Sequence, residues 1–184
     1  HTDNIWARRD PGALLGPKAN RFWKPVVCAV NGMAAGGAFY WIAECDIVIC
    51  DEGATFFDPH VSYGMVASLE PIALTHRIGV GQAMRMALMG LDERVTAETA
   101  LRIGLVTEVV GADALRERAH EIAASIATKP PLAVQGTVRA VWESLDLGRS
   151  AAMERGLSYT HIGSPSGIRA VDRGAVTKPE PRLR

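Results

Sequence analysis

From Lys24 to Gly64 the chain reads KPVVCAVNGMAAGGAFYWIAECDIVICDEGATFFDPHVSYG, and this stretch limits the fold more than any other. Pro25 to Val30 is a short, valine-rich apolar run, which predicts a buried strand. Asn31-Gly32 ends it with residues that tolerate positive φ. Small residues, the pair Gly36-Gly37 and a new apolar run from Ala38 to Ala43 follow. The pattern is a strand, a tight turn and a buried helix whose first turn has no bulky side chain. Unpaired backbone N–H groups at such a helix start point outward, with the positive end of the dipole behind them. An oxygen that gains negative charge during a reaction is a natural guest there.

KPVVCAVNGMAAGGAFYWIAECDIVI resembles the signature of the enoyl-CoA hydratase/isomerase (crotonase) superfamily. The shared pattern is a Lys-Pro strand, Asn-Gly, a small-residue turn with Gly-Gly, a buried helix, Cys-Asp and a second strand. The resemblance continues through ATFFDPHVSYG, GVGQAMRMALMG, ERVTAETALRIGLVTEVV and PPLAVQGTVRAV, so it runs from about Phe22 to about Ile162. It implies an α/β fold: a spiral of ββα units over residues 1–110, a C-terminal helical module over 111–163 and an extended tail over 164–184. That module packs subunits together in the family, which implies a homotrimer or a dimer of trimers. The family also has roughly another third of a subunit ahead of this point, including the loop that supplies the first oxyanion N–H and much of the CoA pocket. Either that part is absent from this sequence or another chain supplies it, and its absence is the expectation.

Composition excludes more than it specifies. The chain has 184 residues, about one domain's worth. Lys plus Arg and Asp plus Glu balance at 20 each, so no field draws it to nucleic acid or an anionic membrane. No run is long and apolar enough to span a bilayer. The three cysteines, Cys28, Cys45 and Cys50, sit in apolar surroundings without metal-ligand spacing. They read as reduced core residues of a cytoplasmic protein.

Residues 1–20 read as a loop, with Pro17 to Trp23 as a short helix delivering Phe22 and Trp23 to the core. Further strands are expected over Asp46 to Cys50, from Ala54 to Phe57 and over Leu105 to Val110. Helices are expected at Leu69 to Ile78 with Ser68 as cap, at Val80 to Met89, and from the Thr96 cap to Ile103. Asp113 to Lys129 is amphipathic, and helices over Leu132 to Leu145 and Ser150 to Ile162 follow. The remaining tail, rich in Gly, Ser, Pro and Arg, reads as extended.

The chemistry that the resemblance implies is activation of a thioester carbonyl by two backbone N–H groups, which stabilise its enolate. Gly37 matches the family position that supplies one of them, and Gly36 permits the turn; otherwise the pair only allows tight packing. Hydratases of the family flank a water with two glutamates, and both positions differ here. Tyr40 stands at the first and His60 at the second. Glu44 lies one helical turn beyond Tyr40. His60 is open to three roles: a general acid or base, since imidazole titrates near pH ~6.5, a donor that orients substrate, or a structural residue tied to Asp58 or a carbonyl. Tyr40 is a catalytic residue or a core aromatic. Glu70 projects into the pocket or only satisfies a helix end. Met33 and Gly36 complete the substrate-contacting set. The bulky Phe39, Trp41, Phe56, Phe57 and Tyr63 point to an unusual acyl pocket, with some of them in the core. Coenzyme A is expected as part of the substrate, with no other cofactor and no metal. The alternatives are a C–C hydrolase or isomerase of the same fold on a bulky acyl-CoA, and a catalytically silent protein that binds CoA thioesters.

Overall fold

The computed structural model describes residues 12–176 and 180–182. The expected N-terminal loop ahead of residue 12 lies outside them. Gly12–Leu15 is a single helical turn, α1. Residues 17–21 form a turn in place of the expected helix, and Phe22 stays 46% exposed.

Strands β1 (Val27–Val30), β3 (Ile47–Asp51) and β6 (Glu108–Val110) form one parallel sheet in the order β1-β3-β6. Central β3 is the continuous apolar run expected of a strand covered on both faces, with Val48, Ile49 and Cys50 fully buried. β1 is an edge strand, and its Ala29 is exposed, so it is less buried than its apolar sequence suggests. The segment read as a tight turn, Met33–Ala35, is instead a strand, β2, in a second sheet. There it pairs in parallel with β4 (Thr55–Phe57), and β4 pairs antiparallel with β5 (Val95–Thr96).

Asp51 explains how the chain leaves one sheet for the other. One carboxylate oxygen accepts the Gly32 N–H at 3.2 Å, and the other accepts the Gly53 N–H at 2.8 Å. Both turns that follow β1 and β3 are therefore held by one buried side chain, and Gly32 takes φ 83 there.

A 3-10 turn, Gly36–Ala38, leads into α2 (Phe39–Ile42). α3 (Leu69–Met89) has a break at Gly79, where φ is 76 and ψ 161, so the two expected helices exist as two arms. Ser68 makes no side-chain cap bond, contrary to expectation. Thr96 does cap α4 (Ala97–Ile103), accepting from Thr99 N–H at 3.3 Å, and Gly104 ends it in the left-handed region. Phe39, Phe56, Leu74, Ile78, Leu105 and Val106 join Val48 in the core. Each such large side chain contributes roughly 1.5–3 kcal/mol by leaving water. Half-buried Arg77 donates to the carbonyls of Ala43 and Cys45 where α2 ends. All three cysteines are free thiols; Cys45 and Cys50 are buried and Cys28 half-buried. The side-chain hydrogen bond between Cys28 and Cys45 lowers the first thiol and raises the second, and burial pushes Cys50 up to about 11.

The chain divides into two compact units, His1–Ser125 and Ile126–Arg184. The division falls inside α5 (Leu115–Ala127). In the second unit α6 (Pro131–Ser144) packs on α7 (Arg149–Arg169). α7 runs seven residues past the expected end at Ile162, through Pro165, so residues 164–169 are helical and not an extended tail. Among the described residues, no helix is long and apolar enough to cross a membrane.

Candidate active site

The register of β2 and β4 builds the site. Ala35 lies opposite Phe57 in this parallel pair, so Gly36-Gly37 and Asp58-Pro59-His60 leave the sheet at the same end. A Cβ at Gly36 would sit 3.5 Å from His60 Cε1 and 3.5 Å from Pro59 Cδ. Gly36 has φ 48, which a side chain would strain. Gly37 is exposed in the 3-10 turn, where the first N–H groups lack an intrahelical acceptor.

His60 opens a 3-10 turn, His60–Tyr63, that Gly64 ends at φ 72. Asp58, 2% exposed, holds it twice: Asp58 Oδ1 accepts the His60 backbone N–H at 3.1 Å and lies 2.5 Å from Nδ1. An ionised carboxylate only accepts, so Nδ1 carries the proton of this bond and Nε2 faces elsewhere. Nε2 lies 3.8 Å from Oε1 of Glu70, in the first turn of α3. Glu70 is 3% exposed, and among the described residues no hydrogen bond reaches its carboxylate. Asp58 Oδ2 is buried and also has no partner there.

The other expected site residues fall differently. Tyr40 lies against the glycine turn: a Cβ at Gly37 would be 3.8 Å from its ring, and one at Gly12 would run into it. Glu44 is committed elsewhere, accepting the backbone N–H groups of Lys18 at 2.7 Å and Ala19 at 2.9 Å in the turn after α1. Met33 opens β2 with its side chain 62% exposed. Of the five bulky aromatics, Phe39, Phe56 and Phe57 are core, while Trp41 and Tyr63 are exposed at 49% and 66%. Ligand atoms of Asp58, His60 and Glu70 all lie within 4.8 Å of one another, a spacing open to a cation. With Nδ1 engaged by Asp58, such an ion would find only Nε2 and the carboxylates.

Sequence reasoning named the glycine turn and His60, which the structure brings together, but gave Glu70 only a general place in the pocket. Its approach to His60 spans ten residues, and the only local signal is an acidic residue in a first helical turn.

Two small sheets wound with helices, with a glycine turn at the end of one sheet, fit the crotonase class of fold. A family model described as enoyl-CoA hydratase/isomerase matches residues 15–161, and the chain belongs to that family. It is 38% identical over 143 residues to the (E)-benzylidenesuccinyl-CoA hydratase of Thauera aromatica, covering 77% of this chain and 54% of that protein. It is 33% identical over 178 residues to the mevalonyl-coenzyme A hydratase sidH of Aspergillus fumigatus, covering 95% and 65%. The crystal structure of an enoyl-CoA hydratase/isomerase from Mycobacterium paratuberculosis superimposes with a TM-score of 0.75 at 41% identity, covering 80% of this chain and 57% of that one. The chain thus spans between half and two thirds of the length of these relatives.

Proposed function

We propose that this protein transforms acyl-CoA thioesters as an enoyl-CoA hydratase or isomerase, stabilising a thioester enolate at the Gly37 N–H. His60 handles the proton, and Tyr40 supports the glycine turn. Met33, Gly36 and Glu70 lie along the bound substrate. The observation that carries the reading is that His60 Cε1 lies 3.5 Å from the Cβ position of Gly36, the residue before the Gly37 whose N–H would hold the carbonyl oxygen. The names of the relatives, all hydratases of CoA thioesters in the two compared above, support the substrate class. Coenzyme A enters only as part of the substrate. The working form is a cytoplasmic homotrimer or dimer of trimers.

The test is incubation with crotonyl-CoA and a bulkier aryl-substituted 2-enoyl-CoA in heavy water, followed by mass spectrometry against a control without enzyme. Gain of one water identifies hydration; deuterium uptake without water identifies isomerase chemistry. His60→Ala is expected to lower either rate by about 10²-fold or more. Free CoA as the product, or an unchanged rate in the alanine variant, refutes this mechanism.

A further inference from the structure

A buried carboxylate without a hydrogen-bond donor is costly unless something charged or polar meets it. Glu70 is 3% exposed, and the ionisable nitrogen beside it among the described residues is His60 Nε2 at 3.8 Å. Two groups 3.8 Å apart are too far for a direct hydrogen bond, yet one oxygen atom can bond to both. On the opposite edge of the ring, Asp58 Oδ1 lies 2.5 Å from Nδ1, where an ionised carboxylate would hold the proton on that nitrogen. That bond also stabilises the imidazolium when Nε2 is protonated.

From this geometry we infer that Glu70 is the second member of the acid/base pair, working with His60 Nε2 on one water, and that Asp58 is the positioning residue for His60. The inference rests on the enolate reading above. In the hydration direction, the Glu70 carboxylate takes a proton from water, and the water oxygen bonds to Cβ. The Cα=Cβ π pair moves toward the carbonyl carbon, and the carbonyl π pair moves onto the thioester oxygen. The enolate then collapses, and Cα takes the proton from Nε2 of the imidazolium. One water has been added, Glu70 is protonated and His60 is neutral. Passage of the proton from Glu70 to Nε2 across the pair restores both. The step needs no other reactant.

Two reactions separate the roles. Water addition to crotonyl-CoA needs both groups, while exchange of the α-proton of butyryl-CoA with heavy water needs only the His60 nitrogen and the enolate site. Glu70→Gln is expected to lower water addition by about 10²-fold and α-exchange by far less, so that the ratio of the two rates falls at least about tenfold. A variant that merely fails to fold loses both, which circular dichroism identifies; Glu70→Asp then carries the same split. Water addition at the wild-type rate in folded Glu70→Gln overturns the role of Glu70, and so does joint loss of both reactions in the folded variant. His60→Ala that retains both reactions, or a wild type that performs neither, overturns the underlying enolate reading instead. For Asp58, nitrogen-15 NMR of the histidine ring is expected to give the Nδ1–H tautomer in the wild type and a mixture in Asp58→Asn. An unchanged tautomer in that variant overturns the positioning role.

Discussion

At the scale of single residues, Gly36 shows how backbone conformation and site chemistry separate. It takes φ 48 with His60 Cε1 and Pro59 Cδ each 3.5 Å from where a Cβ would go. That spacing is ordinary contact, so the cost of Gly36→Ala comes from the left-handed backbone, roughly 1–2 kcal/mol. Gly32 has φ 83 and nothing within 4 Å of its Cβ position, so Gly32→Ala should cost a similar amount. Urea unfolding should give comparable losses for the two, while turnover should fall only in Gly36→Ala, whose new methyl meets the His60 ring. Equal activity in both variants would separate Gly36 from the site. The glycines and His60 were legible in the sequence because their signals are local: a small-residue turn, and Asp-Pro-His at a strand end. Glu70 was not legible as His60's partner, because its approach depends on how the intervening loop returns. That return is set by long-range bonds such as Leu91 N–H to Ser62 Oγ at 2.9 Å, which no local pattern announces. The aromatics could not be divided between pocket and core for a related reason: Phe56 and Tyr63 look alike in sequence, and only packing sends one into the core and leaves the other in water.

At the scale of elements, most helices and strands followed their periodicity, and the departures have physical causes. The extension of α7 through Gly163, Ser164, Pro165 and Ser166 defies weak propensity and a proline that can donate no hydrogen bond. Packing overrides it: Gly167 is buried, and a Cβ there would just touch Ala133 of α6 at 4.0 Å. The same pair of helices is held by Glu143, which meets Arg139 at 2.6 Å, Arg155 at 2.7 Å and the Tyr159 hydroxyl. Burial opposes its charge, but the Tyr159 hydroxyl and the two guanidinium groups outweigh this and hold the carboxyl at about 2, below its ordinary 4.5. A carboxyl lowered on folding contributes stability that is complete above the unfolded value and is lost as pH falls through the folded one. The window is therefore 4.5 down to about 2. Between pH ~5 and ~3 the thermal midpoint of the wild type should fall more steeply than that of Glu143→Gln, which has no carboxyl to titrate there. Parallel slopes in the two proteins would mean that the cluster adds nothing to folding.

At the scale of the whole molecule, the side chains left in water bear on assembly. Leu132, Val141, Leu145, Met153, Leu157 and Ile162 on and beside α6 and α7 are between 42% and 78% exposed. Single exposed apolar residues are ordinary, but several large ones along two packed helices are what a surface covered by further subunits would present. The proposed homotrimer supplies that cover with further copies of the same chain. The resemblance to the crotonase superfamily suggested such a helical module from the sequence, although amphipathic spacing alone would also fit helices packed within one subunit. The two cases differ in mass action. Subunit association stabilises the folded state in proportion to concentration, so the thermal midpoint should rise across a hundredfold dilution series read from dilute to concentrated, roughly by the logarithmic law for a bound partner. Native mass spectrometry should give three or six chains at the concentrated end. Replacing Leu157 and Ile162 together by Glu puts charge into the covered surface, and should yield monomers whose midpoint no longer depends on concentration. A wild type that is monomeric throughout, with a constant midpoint, would show that these helices face water in the working protein, and the homotrimer would have to be abandoned while the enolate chemistry at Gly37 and His60 stood unaffected.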